Sequence, residues 1–397
     1  MSRYVFVQAV SARSALGHDA STMRANLMAS HDPQCLRTTD IYSPGRALSL
    51  GCLPADVSLS DLAFAPLAQR SRNNALAWAT VQSLRDVIAA AHAQYGPTRI
   101  GLVVGTSTAG VQEGEGAAAH LLSHGQFPVG FDYAVQEMGN VATFLAQHLG
   151  VQGPSHTIST ACSSGVKALA SAARWLQADM VDVVIAGGVD ALCNFTVSGF
   201  SALEAVSPQR CNPLSANRSG INLGEGAAFF VLSRTPASVR LAGWGETQDA
   251  HHMSAPDPTG WGAEMAMRQA LERAGMSATG VDYVNLHGTA THHNDAMESK
   301  AIQAVLGGNV PVSSTKPLTG HTLAAAGALE AAIAWHVLQH NPQGHLPAHW
   351  WDGVQDAAIP ALMVVEPGMQ LGRAPRAVLS NSFAFGGSNC ALLLEAA

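Results

Sequence analysis

The chain has 397 residues, 47% of them hydrophobic and only 12% charged, with a formal net charge of -7. Soluble domains carry roughly 25% charged residues, so a chain this poor in charge is expected to hide much of its surface in a large interface with another subunit. The acidic balance argues against general nucleic-acid binding, no apolar run approaches the length of a membrane span, and the chain length suggests two domains or two fused halves.

Residues 3–10 read as a first strand, in an apolar stretch too short for the core of a signal peptide. Residues 36–60 form a Pro- and Ser-bearing loop. Ala75, Leu76, Trp78, Ala79, Leu84, Val87 and Ile88 give a long amphipathic helix. Residues 99–104 are a buried strand running into Gly105-Thr106-Ser107-Thr108-Ala109-Gly110. Two helices, 112–124 and 132–149, are separated by a turn near Pro128 and Gly130. A strand then leads to Thr160, and Cys162 stands on the turn before an Ala-rich helix over 166–177. Strand 181–186, a polar loop over 212–225 and strand 227–232 follow. Thr235-Pro236 is the best boundary, giving units 1–235 and 236–397.

The second half restarts with strand 239–243, helix 263–274 and strand 282–286, then His287-Gly288-Thr289-Ala290-Thr291. Helix 295–306 precedes Ser313-Ser314-Thr315-Lys316-Pro317-Leu318-Thr319-Gly320-His321, which opens a helix over 322–338. Strands near 361–365, 376–381 and 389–394 close the chain. Gly105-Thr106-Ser107-Thr108 after a strand matches Gly288-Thr289-Ala290-Thr291. Ser159-Thr160-Ala161-Cys162 before an Ala-rich helix matches Ser314-Thr315-Lys316. This weak internal repeat predicts two α/β halves, each with a mixed sheet covered on both faces. The Cys162 turn would then face the 287 and 316–321 loops across one cavity.

Cys162 at a helix N-terminus reads either as a nucleophile whose thiolate the helix favours or as a buried structural cysteine. His287 follows a strand and starts a Gly/Thr loop, His321 opens a helix just after Gly320, and neither lies on an apolar stripe, which favours the nucleophile. A thiol with two imidazoles suits acyl transfer: the thiol attacks an acyl thioester while the imidazoles polarise a carbonyl and steady an enolate. The six cysteines (Cys35, Cys52, Cys162, Cys193, Cys211, Cys390) are scattered without a CxxC pair and predict free thiols in a reducing cytoplasm. His251-His252 and His292-His293 lack the i,i+4 spacing that sets two ligands on one helix face, so no metal site is expected.

STACSSG around Cys162, NRSGINLGEGAA at 217–228, NLHGTATHHND at 285–295, SSTKPLTGHTLAAAGALE at 313–330 and NSFAFGGSN at 381–389 stand in one order along the chain. In these motifs it resembles the elongating β-ketoacyl-acyl carrier protein synthases of the thiolase-like superfamily. The resemblance implies a duplicated αβαβα five-layer fold, a homodimer or a heterodimer with a ketosynthase-like partner, and substrates carried on the phosphopantetheine arm of acyl carrier protein with no further cofactor. It implies that Cys162 carries the acyl chain and that His287 and His321 assist decarboxylation of malonyl carrier protein, with Lys316 a fixed charge beside them. By the same resemblance Phe385 would supply an oxyanion N–H and, with Phe383, the gate, Thr289 and Thr291 would bind the phosphopantetheine arm, and Asp295, Glu298 and Glu330 would support the site. It would also place Thr108 and Phe200 at the acyl pocket and Arg70 and Arg72, with Arg210 and Arg218 as neighbours, at the carrier-docking region.

Three features depart from the family pattern. Ala384 replaces the first glycine of the gate, which predicts a stiffer gate. Thr108, Thr196, Ser198 and Ser201 suggest a polar pocket wall, unless their hydroxyls cap helices. Ser219 follows Arg218 where an acidic residue is usual. The motifs KPLTGH and CNPLSANRSGINLGEG are similar to synthases of pigment-type polyene pathways, which implies aryl or polyunsaturated acyl chains. A subunit that only shapes a partner's pocket, and a thiol hydrolase, are the competing readings.

Overall fold

In the computed structural model, which describes residues 4–397, the N-terminal half runs β1 (Val5–Ser14), α1 (Ala20–Leu27), β2 (Arg37–Thr39), β3 (Leu48–Leu50), α2 (Arg72–Val81), α3 (Arg85–Tyr95), β4 (Ile100–Gly105), α4 (Val111–His124), α5 (Asn140–Leu149), β5 (Ser155–Ile158), α6 (Ser164–Gln177), β6 (Val183–Asp190), α7 (Asn194–Ala202) and β7 (Gly226–Ser233). The C-terminal half runs β8 (Val239–Gln248), α8 (Trp261–Ala274), β9 (Tyr283–Asn285), α9 (His292–Leu306), β10 (Pro311–Ser313), α10 (Lys316–Thr319), α11 (Ala326–Leu338), β11 (Met363–Val364), β12 (Ala377–Ala384) and β13 (Ser388–Ala396). Arg3, in the expected first strand, lies outside the described residues. The single long helix expected through Ile88 is instead two, α2 and α3, joined by a 3-10 turn at Gln82–Leu84.

The sheet order exposes the duplication. It is β11-β10-β9-β12-β13-β8-β1-β7-β6-β4-β5, one continuous sheet of eleven strands. Outward from its centre, β1-β7-β6-β4-β5 repeats as β8-β13-β12-β9-β10. The pairings repeat as well: antiparallel between the first three strands of each half, parallel for the outer ones. Two separate sheets were expected, but β1 and β8 pair through Val5–Leu241 and Phe6–Arg240. The second half therefore starts as a neighbour of the first strand.

Five layers follow from where the apolar faces go. α2, α3 and α5 cover one face of the N-terminal strands. α8 and α9 cover the matching face of the C-terminal strands. α6 and α11 lie between the two half-sheets in a core shared by both. A helix covered on all sides must be apolar all round, and in α11 every residue except Trp335 is buried. The middle layer is also tight, which explains its Gly/Ala content. A Cβ on Gly165 would come within 2.9 Å of the Ala324 carbonyl, and one on Gly327 within 2.3 Å of a Val166 methyl. Among the described residues, no helix is long and apolar enough to cross a membrane.

Candidate active site

The turn between β5 and α6 is built to hold a strained residue. Ala161 adopts φ 51°, in the left-handed region, which costs a non-glycine residue of order 1 kcal/mol. Neighbouring hydroxyls over-determine it: Ser164 Oγ donates to the Ala161 carbonyl at 2.6 Å and accepts from the Thr160 N–H at 2.9 Å, and Ser163 Oγ donates to the Thr160 carbonyl at 2.9 Å. The serines of STACSSG thus fix the turn, and Cys162 sits just before α6, only 4% exposed.

Three elements from the other half meet it. His321 Nε2 lies 3.0 Å from Cys162 Sγ, and the His287 and His321 rings are 5.3 Å apart, edge to face. The sulfur and one nitrogen of each ring fall within 4.8 Å of one another. Lys316 forms an ion pair with Glu330 at 2.5 Å, donates to the His287 carbonyl, and its Nζ is 3.4 Å from His287 Nδ1. An ammonium is a donor only, so Nδ1 accepts and the His287 proton sits on Nε2, where it can be donated to a substrate oxygen. Glu298 accepts from the His287 and Gly288 N–H groups, both at 2.8 Å, and from Asn381 at 3.2 Å. Asp295 accepts from Leu214 N–H at 2.8 Å and Ala290 N–H at 3.2 Å. Both carboxylates brace loop backbone.

The cavity measures about 690 Å³ and is lined by Cys162, His287, His321, Thr289, Thr291, Phe200, Phe383 and Phe385, among others. Thr289 and Thr291 share a hydroxyl contact of 2.9 Å. Phe200 and Phe385 pack with ring centroids 5.6 Å apart. The backbone N–H groups of Phe385 and Cys162 both face the sulfur and favour its thiolate. In the segment expected to form the gate, conformational freedom belongs to Gly386 and Gly387, at φ 81° and 75°. Ala384 closes β12 at φ −99°, a conformation open to any residue, so the glycine it replaces is not needed there for backbone strain.

Burial governs the charges. It pushes the Cys162 thiol up to about 11, against the opposing pull of Lys316. The helix-terminal preference for thiolate expected from sequence is outweighed. His287 and His321 are held well below the ordinary imidazole value, chiefly by burial and further by Lys316; both are neutral at pH 7. Burial also lifts Glu298 and Glu330, each to about 7. The Cys162–His287–His321 group is the one set among the described residues with metal-ligand proximity. Its chemistry opposes a dication. The Lys316 charge is adjacent, and it keeps the His287 proton on the very nitrogen a metal would need.

Several expected residues lie elsewhere. Thr108 is absent from the cavity wall; its hydroxyl donates to Asp190 at 2.8 Å. Thr196 bonds back to the Cys193 carbonyl at the start of α7, and neither Ser198 nor Ser201 lines the cavity. Three of the four arginines expected at a docking region are paired within the chain. Arg72 grips Glu225 at 2.6 Å, Arg210 pairs with Asp32, and Arg218, 5% exposed, pairs with Asp356 at 2.6 Å. Arg70 donates to the Ala65 and Ala63 carbonyls, both at 2.8 Å. Sequence reasoning also missed Asp190, and His252, His292 and His293 on the cavity wall.

Family models for the beta-ketoacyl synthase N-terminal and C-terminal domains match residues 68–237 and 239–345. The chain belongs to the β-ketoacyl synthase family. It is 36% identical to Nodulation protein E of Rhizobium meliloti over 312 residues, 75% of each chain. It is 32% identical to 3-oxoacyl-[acyl-carrier-protein] synthase 2 of Coxiella burnetii, again over 75% of each. The match to 3-oxoacyl-[acyl-carrier-protein] synthase 2 of Rhizobium meliloti, 34% identical, spans 61% of that relative. Among solved structures, one of the ketosynthase ApeO in complex with its chain length factor ApeC, from Xenorhabdus doucetiae, superposes with a TM-score of 0.92 at 39% identity, covering 99% of this chain and 98% of that one. A β-ketoacyl synthase from Burkholderia phymatum superposes at 0.85 with 26% identity over the full length of both.

Proposed function

We propose that this β-ketoacyl synthase catalyses decarboxylative Claisen condensation between an acyl chain held on Cys162 and malonyl-acyl carrier protein, giving 3-oxoacyl-acyl carrier protein. The observation that carries this reading is the convergence of the Cys162 sulfur with the His287 and His321 nitrogens within 4.8 Å, at one cavity. Cys162 Sγ attacks the carbonyl of the acyl thioester. The bond to the carrier sulfur breaks, and the thiol proton leaves with the free carrier. Malonyl carrier protein then enters and loses carbon dioxide. The electron pair of that bond becomes an enolate, its oxygen held by Nε2–H of His287 and by His321. The carbanion attacks the acyl carbonyl on Cys162, the N–H groups of Cys162 and Phe385 receive the oxyanion, and collapse releases the product and the Cys162 thiolate, which takes up one proton.

In this scheme Lys316 fixes the His287 tautomer, and Asp295, Glu298 and Glu330 hold the loops. Thr289 and Thr291 receive the phosphopantetheine arm, so the chemistry calls on no other cofactor. Phe200, Phe383 and Phe385 form an aromatic wall that favours aryl or polyunsaturated acyl chains. The partner is a second subunit of the same fold, either another copy or a chain-length-factor type of subunit. The units of the duplication are 1–235 and 236–397, and six free thiols favour a cytoplasmic setting. Incubation with a panel of acyl carrier proteins should give an acyl adduct on Cys162 by intact mass, absent in Cys162→Ala, and added malonyl carrier protein should convert it to a 3-oxoacyl product. Free fatty acid as sole product would replace the reading with a hydrolase. No adduct from any carrier would leave an accessory subunit.

A further inference from the structure

Asp190 ends β6 and is fully buried, yet no Lys or Arg among the described residues pairs with it. Its carboxylate instead accepts six hydrogen bonds. Five come from the turn after β4: Thr106 Oγ1 at 2.8 Å, Ser107 N–H at 2.8 Å, Ser107 Oγ at 2.5 Å, Thr108 N–H at 2.9 Å and Thr108 Oγ1 at 2.8 Å. The sixth comes from the other half of the molecule, the Ala324 N–H at 2.8 Å. Ala324 is three residues after His321, and between them Leu323 is held at φ 50°. The other side of that loop is fixed by the His321 N–H on the Asn222 carbonyl at 2.6 Å.

Glycines bring the pieces into contact. A Cβ on Gly105 would meet the Ser164–Gly165 backbone at 2.6 Å, and one on Gly165 or Gly188 would meet the Ala324 carbonyl at 2.9 Å. The turn after β4, the Cys162 turn and the Ala324 loop therefore press together at one point, and Asp190 joins the first of these to the third. Every neighbouring group on its carboxylate is a donor. A carboxylate fits that shell, whereas an amide would turn two N–H groups toward other donors.

We propose that Asp190 is a positioning residue, a carboxylate strap across the two halves that sets His321 against Cys162 and places a negative charge behind the Cys162 turn. The claim about turnover rests on the condensing role proposed above; the claim about the thiol does not. The charged or titratable groups around Cys162 are His321, His287, Lys316 and Asp190. Asp190 is the one carboxylate among them, and its charge disfavours the thiolate.

The test is Asp190→Asn, read in two ways. Misplacing a reacting group by about 1 Å costs on the order of 100-fold, so condensation should fall by about that factor. The pH profile of Cys162 alkylation by iodoacetamide should move to lower pH, because a negative charge is removed. Loss of packing alone would lower the melting temperature without such a shift. The alkylation assay needs no carrier or acyl chain, so it stands even if no condensation is found. Should Asp190→Asn fail to fold, Ser107→Ala removes one donor from the oxygen that Ala324 holds and should lower turnover several-fold in a folded protein. An unchanged alkylation profile in Asp190→Asn, or full turnover in Ser107→Ala when the first variant does not fold, overturns the proposal.

Discussion

In the proposed condensation Lys316 acts through its neighbours rather than through substrate. Its ammonium lies between His287 Nδ1 and Glu330, all of them buried, and its charge is one of the forces holding the His287 value down. In Lys316→Ala that force disappears, so His287 should take up a proton at higher pH than in the wild type. The acid limb of malonyl decarboxylation should then move to higher pH. The sign follows because the neutral imidazole is the working form: raising its value lets acid remove that form sooner. A pH–rate profile of both proteins checks this, and superimposable acid limbs would refute it. Cys162, His287, Lys316 and His321 were all legible in the sequence, because each follows a strand in a short motif and the repeat brings those strand ends together. The thiol's charge state was not. The helix terminus is visible in the sequence, but burial, the larger effect, is a sum over residues from both halves. Asp190 was invisible for the same reason: its donors lie more than 80 residues before it and 134 after it.

At the scale of elements, the long strands and Ala-rich helices could be read because period and composition agree with where they lie. α7, α1 and the short pair β2 and β3 could not. Their residues are mixed in character, and tertiary contacts rather than local pattern hold them; Leu48 and Leu50 of β3, for instance, are buried with Val197 of α7 in a satellite cluster. The close approach of α6 and α11 makes the prediction at this scale. Ala is ordinarily a better helix residue than Gly by about 1 kcal/mol. At position 327 the added methyl would meet the stiff Val166 side chain and the Ser382 hydroxyl, at 2.3 and 2.6 Å. Overpacking of this kind costs about 1–3 kcal/mol, so Gly327→Ala should unfold at lower urea concentration than the wild type. An equal or higher midpoint would mean that the middle layer has room to spare.

For the whole molecule, the shortage of charge shows itself twice. Arginines expected at a docking region are paired within the chain, Arg72 with Glu225 and Arg218 with Asp356. Sequence position could place them near the cavity but could not say which way a guanidinium turns. The second consequence is an apolar surface. Leu122 at the end of α4, and then Phe127, Val129 and Tyr133 in the segment after it, are all exposed, with Phe127 stacked on Phe131 at 5.4 Å between ring centroids. Four large apolar side chains within twelve residues make a patch of the kind that marks a protein interface. β5 ends the sheet nearby in the chain and, among the described residues, pairs only with β4, and an open strand edge is likewise a surface that native proteins cover. A subunit of the same fold is the expected cover, since an interface of that class removes apolar area on both partners at about 25 cal/mol per Å². Phe127→Asp with Val129→Asp should therefore shift the sedimenting species from a dimer toward a 41.1 kDa monomer. Alkylation of Cys162 should be retained, because the thiol and its histidines come from a single chain. A double variant that sediments like the wild type would show that the partner sits on another face.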